Sequence, residues 1–124
     1  MAGGKPSARL GPTEVVMERR ADGSVLLRSP HALGHYPRTI TDRLDFWAEV
    51  ASKRTFLAQR DAHGVWQTIT YEGARALARN LAAALIQRGL SAERPLAILS
   101  GNGLEHAMLS LAAMYAGIAY APVS

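Results

Sequence analysis

Apolar positions along the chain recur in two periods, and the change of period marks the elements. Val15-Val16-Met17-Glu18-Arg19 and Val25-Leu26-Leu27-Arg28 are short β-type runs. They flank Asp22-Gly23, a strong hairpin signal. Pro30, Gly34 and Pro37 make the stretch from Ser29 to Arg38 an extended connector. Leu44, Trp47, Ala48 and Ala51 then recur at i, i+3, i+4 and i+7, which predicts one apolar face of a helix. That helix is expected to begin near Thr41, with Thr41 as its cap and Asp42 at the positive end of its dipole. Residues 55–60 and 65–70 read as two strands joined through Asp61-Ala62-His63-Gly64. Thr70 is the expected cap of the longest helix, 71–88, with Ala74, Leu77, Ala78, Leu81 and Leu85 as its buried stripe and Gly89 just past its end. A buried strand over 95–100, a turn at Gly101-Asn102-Gly103, an apolar helix from Leu104 to Ala116 and a strand over 118–124 complete the pattern. Residues 1–14 are small, polar and rich in Pro and Gly, and are expected to be disordered.

The final strand, helix and strand form a βαβ unit, a piece of a parallel sheet with a right-handed crossover. Parallel sheets need neighbours on both faces. The chain stops within that last strand, so its end reads as the middle of a larger domain. The expected class is α/β: an incomplete N-terminal subdomain with β-hairpins toward the N-terminus and the βαβ unit at the C-terminal end. The expected division is 1–14 disordered, 15–38 hairpin and connector, and 39–124 a partial subdomain. Met1 and the basic start point to a natural N-terminus, with the missing part at the far end.

Composition narrows the classes. A chain of 124 residues with 48% hydrophobic and 19% charged residues is globular rather than disordered. Cysteine is absent, which excludes disulfides and thiolate metal sites. Arg79, Arg88 and Glu105 interrupt the apolar runs, and the start lacks the apolar core of a secretory signal, so no membrane partner and a cytoplasmic location are expected. The net charge is +4, carried almost wholly by dispersed arginine. With no basic patch and no interleaved aromatics, a nucleic-acid partner is not expected.

Candidate chemistry is sparse. Gly101, Asn102 and Gly103 lie between the carboxyl end of a strand and the amino end of a helix, where open α/β sheets bind ligands and free N–H groups suit anions. The stretch is neither a G-x-G-x-x-G fingerprint nor a Walker loop, and the plainer reading is a tight turn capped by Asn102. Ser100 lacks the glycines of a nucleophile elbow. His31 and His35 are four apart, but Pro30 and Gly34 argue against a helix that would make a metal face. His63 falls in a turn, and Glu105-His106 are adjacent and so do not form a dyad on one helix. All four histidines are expected to be solvated or satisfied. Met108, Met114 and Tyr115 are expected in the core.

Two stretches resemble the adenylate-forming superfamily. Thr68-Ile69-Thr70-Tyr71-Glu72-Gly73-Ala74 looks like its first core motif, and Met114 through Val123, with Ala116-Gly117 and Pro122, resembles its second. Between them, Arg94-Pro95-Leu96-Ala97-Ile98-Leu99 and Asn102 with Glu105 match its strand and Asn-x-x-Glu turn, and Arg54-Thr55-Phe56-Leu57-Ala58 matches its first strand. The likeness runs from about Ser29 to Ser124. Within the superfamily it is strongest to bacterial feruloyl-CoA synthases, through 27–38, Leu99-Ser100-Gly101-Asn102 and Glu105-His106.

The resemblance implies a parent that uses ATP and Mg²⁺ to adenylate a hydroxycinnamate, releases pyrophosphate and passes the acyl group to coenzyme A. The superfamily's phosphate loop, Tyr-Gly-x-Thr-Glu segment, ribose-binding aspartate, hinge and C-terminal lysine all lie downstream of its second motif. No catalytic, metal-binding or cofactor-binding residue is therefore carried onto this chain. It is expected to be an inactive N-terminal piece, whose partners are the remainder of the parent and, through an exposed sheet edge, further copies of itself. The alternatives are a free-standing nucleotide- or anion-binding module and a basic interaction domain.

Overall fold

The computed structural model describes residues 11–123 and divides into two units, residues 1–36 and 37–124. Most of the stretch expected to be disordered, residues 1–10, lies outside the described residues; 11–14 are exposed and without regular structure.

In the first unit, β1 (Val16–Arg19) and β2 (Val25–Arg28) pair antiparallel, from Val16 opposite Arg28 to Arg19 opposite Val25. Gly23 sits at φ +85° in the turn, a conformation that costs glycine little. Asp22 Oδ1 accepts from the Ser24 amide at 2.9 Å and from its hydroxyl at 2.7 Å. Those bonds, the hydroxyl first, hold the Asp22 carboxyl below the usual range. Every strand residue of this hairpin is exposed. Farther along, the His31 ring pairs with Glu14.

The second unit opens with α1 (Ile40–Val50), which starts one residue before the expected cap. The cap is Thr39, not Thr41. Thr39 Oγ1 accepts from the Asp42 amide at 3.2 Å, and Asp42 returns a carboxylate to the Thr39 amide at 3.1 Å. This reciprocal box needs an acidic residue three places on, and Thr39-Ile40-Thr41-Asp42 supplies it only from Thr39. Thr41 is instead buried. Leu44 and Ala48 face inward as expected, while Trp47 stays partly exposed against Tyr71.

The strands β3 (Thr55–Arg60) and β4 (Trp66–Thr70) form a second antiparallel hairpin, with Leu57 opposite Ile69 and a bulge after Thr55. Asp61 Oδ1 accepts from the amides of His63 and Val65, each at 2.9 Å, and Gly64 turns at φ +79°. Phe56, Leu57 and Ile69 pack on the helices. Thr70 caps α2 (Tyr71–Gln87) through a 3.2 Å bond to the Gly73 amide, as the sequence implies.

The buried stripe of α2 is Ala74, Ala78, Ala82 and Leu85. Leu77 was expected in it but is 41% exposed, and Leu81 is half-buried. The correction has a packing cause. Helix α3 (Leu104–Ala116) lies against α2 with Met108, Ala112 and Ala113 buried, so alanine meets alanine along the seam. Small side chains let the two backbones approach, and the longer leucines flank the contact.

Between these helices runs β5 (Leu96–Leu99); after α3 comes β6 (Tyr120–Val123), parallel to β5 with Leu96 opposite Tyr120 and Leu99 opposite Val123. Ile98 and Ile118 are buried at 3% and 4%. The described strands form three separate two-stranded sheets.

One polar tie joins all three helices. Asp45 Oδ1 on α1 accepts from the Tyr115 hydroxyl on α3 at 2.7 Å and from Arg79 Nη2 on α2 at 2.9 Å. Burial first, and then the hydrogen bond to Asp45, push the Tyr115 phenol up to about 12. The sequence places Tyr115 in the core but gives no sign of this partnership across 70 positions.

Candidate functional site

The turn expected at Gly101-Asn102-Gly103 lies where β5 ends and α3 begins. Ile98 anchors β5 in the core, and the chain then emerges through exposed Leu99, Ser100, Gly101 and Asn102. The Gly103 amide donates to the Gly101 carbonyl at 2.8 Å, and the Ala107 amide donates to the Gly103 carbonyl at 3.2 Å. Gly103, not Asn102, is the residue preceding α3, and it offers no side-chain cap. The Asn102 cap is therefore corrected.

The cap comes from elsewhere. Gln59 on β3 presents Oε1 to the Leu104 amide at 2.8 Å, across 45 positions of sequence. A Cβ at Gly103 would stand 3.0 Å from Glu105 Oε2 and 3.4 Å from Gln59 Oε1, so both flexible side-chain ends would have to shift slightly to admit one. No local pattern reports Gln59, because its role depends on where the β3–β4 hairpin packs.

A second pairing was also unforeseen. Ser100 Oγ lies 2.9 Å from His106 Nδ1. His106 is thus not simply solvated, and its partner is the serine six residues before it rather than adjacent Glu105. The two residues share an open groove of about 300 Å³ with Gln59, Asn102 and Glu105. The amides of Glu105 and His106, in the first turn of α3, have no acceptor among the described residues.

Within the same unit His63 lies in the β3–β4 turn; in the first unit His31 pairs with Glu14 and His35 is exposed. A separate apolar groove of about 470 Å³ runs between α2 and α3 over Ile69, Leu77, Leu81, Leu104 and Met108, which accounts for the exposed Leu77. Among the described residues, no three His, Asp or Glu side chains converge where they could hold a metal ion. No helix among them is long and apolar enough to cross a membrane. No step through Mg²⁺ or ATP is assigned to these residues.

The fold is that of the N-terminal portion of an adenylate-forming enzyme. It is similar to the crystal structure of a fatty acid AMP ligase from Legionella pneumophila, with a TM-score of 0.64 and 22% identity, over 68% of this chain. It is also similar to a fatty acyl-adenylate ligase from L. pneumophila solved with acyl adenylate and pyrophosphate, with a TM-score of 0.60 and 22% identity, again over 68%. The chain spans 15% of the length of each. Residues 44–124 match the AMP-binding enzyme family, and the chain belongs to that family. No curated protein matches it.

Proposed function

We propose that the chain is the N-terminal piece of an ATP-dependent acid–CoA ligase of the feruloyl-CoA synthase type. The parent would convert a carboxylate, ATP and coenzyme A into acyl-CoA, AMP and pyrophosphate, with Mg²⁺ offsetting phosphate charge, in the cytoplasm. The family match over 44–124 carries the adenylate-forming part of this reading. The finer substrate assignment is supported by the resemblance of 27–38 and 99–106 to feruloyl-CoA synthases. Chemically, adenylation gives the carboxylate a good leaving group, and thiol attack then completes the transfer.

The same reading makes this chain inactive alone and gives it two partners: the remainder of the parent and, in isolation, another copy. Sheet geometry supports a strand adding beside β5. The Leu96 amide donates to the Ala119 carbonyl at 2.9 Å, which sets the phase of the parallel ladder. Ala97 and Leu99 then direct their backbone groups away from β6. On the opposite edge Pro122 brings no N–H, which blunts β6. The face carrying Leu99 and Val123, 77% and 51% exposed, is apolar.

The test combines two measurements on the chain. With ATP, Mg²⁺, coenzyme A and ferulate it should release no AMP or pyrophosphate, and sedimentation should show species larger than a monomer at high concentration. Turnover would overturn the inactive-piece reading, and a strict monomer would overturn the self-association. Saturable micromolar binding of ATP or AMP by calorimetry would instead favour a free-standing nucleotide module.

A further inference from the structure

We propose that Ser100 and His106 form a nucleophile–base pair able to take an acyl group from an activated ester. Nothing in the ligase reading assigns them a role, and the proposal does not rest on it.

Three observations converge. The first is contact: Oγ and Nδ1 are 2.9 Å apart, within the range for proton transfer from a serine to a base. The second is placement. Ser100 follows a strand whose preceding residues are tied into the core by Ile98, and His106 sits in the first turn of the helix that begins four residues later. The hydroxyl is thus held between two fixed elements while remaining exposed to a reagent. The third is a supply of donors. The Leu104 amide is occupied by Gln59, but the Glu105 and His106 amides are unclaimed among the described residues, at the positive end of α3. An oxyanion developing beside these two amides would meet N–H donors, with the Glu105 carboxylate lining the same groove.

The step balances without a further reagent. With the ring proton on Nε2, Nδ1 accepts the hydroxyl proton as Oγ bonds to the acyl carbon. The bond from that carbon to the leaving atom, oxygen in an aryl ester or acyl phosphate and sulfur in a thioester, breaks, the leaving group takes the electron pair, and the imidazolium returns its proton to solvent. The ligand class is a small activated acyl compound: an aryl ester, a thioester or an acyl phosphate. No described carboxylate bonds the histidine ring from behind, so the pair would acylate stoichiometrically rather than turn over rapidly.

The experiment treats the whole chain with p-nitrophenyl acetate and maps acetylation by peptide mass spectrometry. Ser100 should be acetylated about a hundredfold faster than Ser29 or Ser110, the scale of assistance by a positioned base. His106→Ala should reduce Ser100 to the rate of those serines, and Ser100→Ala should abolish the p-nitrophenolate burst. The comparison among serines is made within the wild-type chain, so it stands even where a variant fails to fold. Acetyl groups found only on lysine, on the terminal amine or on His106, or a Ser100 no faster than Ser29, would overturn the proposal.

Discussion

The two antiparallel hairpins begin from the same chemistry and end in different circumstances. Each has an aspartate that accepts from turn amides and a glycine at positive φ: Asp22 with Gly23, and Asp61 with Gly64. Each was legible as a hairpin from these residues and its flanking β-type runs. Yet every residue of β1 and β2 is exposed, whereas β3 and β4 place Phe56, Leu57 and Ile69 on a cluster that contains Leu44, Ala74 and Met108. The difference teaches that a turn specifies a hairpin without stabilising it. A two-stranded ribbon alone is marginal in water, and burial against helices supplies what the ladder does not.

The strongest way to break the comparison is to remove a side chain from each region. Leu44 is 4% exposed and Leu27 is 67% exposed. Leu44→Ala should cost about 2–5 kcal/mol by lost transfer energy and a residual cavity. Leu27→Ala should stay within about 0.5 kcal/mol. Urea unfolding followed by far-UV circular dichroism checks both, and equal losses would mean the exposed hairpin is as strongly coupled to stability as the core.

The same contrast shows what was legible and what was not. Local rules located every helix and strand among the described residues, because turns, caps and periodicity involve residues within four positions of one another. They erred where two solutions were locally acceptable. Thr41 was the expected cap, but Asp42 lies three residues after Thr39 and completes the reciprocal box only with it. Leu77 fitted the apolar stripe of α2 better than Ala82, but the alanines of α3 select small neighbours. The turn at 101–103 was legible between β5 and α3, since strand–turn–helix order decides it. Its working contacts were invisible: Gln59 reaches Leu104 across 45 positions, and Tyr115 reaches Asp45 across 70. Such contacts belong to packing, which no spacing rule records.

Gln59 sharpens the comparison on a smaller scale, because it is what the packed hairpin contributes to α3. Gln59→Leu removes the acceptor and should cost about 1 kcal/mol, the usual worth of a helix cap. Gln59→Glu keeps an acceptor and sets a negative charge at the positive helix end, so it should match or exceed the wild type at neutral pH. The positive helix end favours the ionised form of the introduced carboxyl. Its contribution is present above the unfolded carboxylate pKa and is lost as pH falls through the folded one. Thermal melts of both variants at neutral and acidic pH measure this, and an unchanged Gln59→Leu melt would show that the bond is dispensable.

The smallest expected effect uses titration to separate the regions. Acid should loosen both turns alike, because Asp22 and Asp61 are each held below the usual carboxyl range, Asp22 chiefly by the Ser24 hydroxyl and Asp61 chiefly by the Val65 amide. Alkali should act only on the helical region. Tyr115 is raised from 10.0 to about 12 by burial and by Asp45. Between those values the unfolded chain sheds the phenolic proton while the folded chain keeps it, so the folded state binds more protons and stability falls as pH rises. Below about pH 10 both states hold the proton and this contribution does not vary. Tyr115→Phe removes the titrating group, so its unfolding free energy should vary less across pH 10 to 12 than that of the wild type. Denaturant midpoints for the two proteins across that window are the measurement. Parallel pH dependences would mean that the Asp45 tie does not hold the phenol protonated.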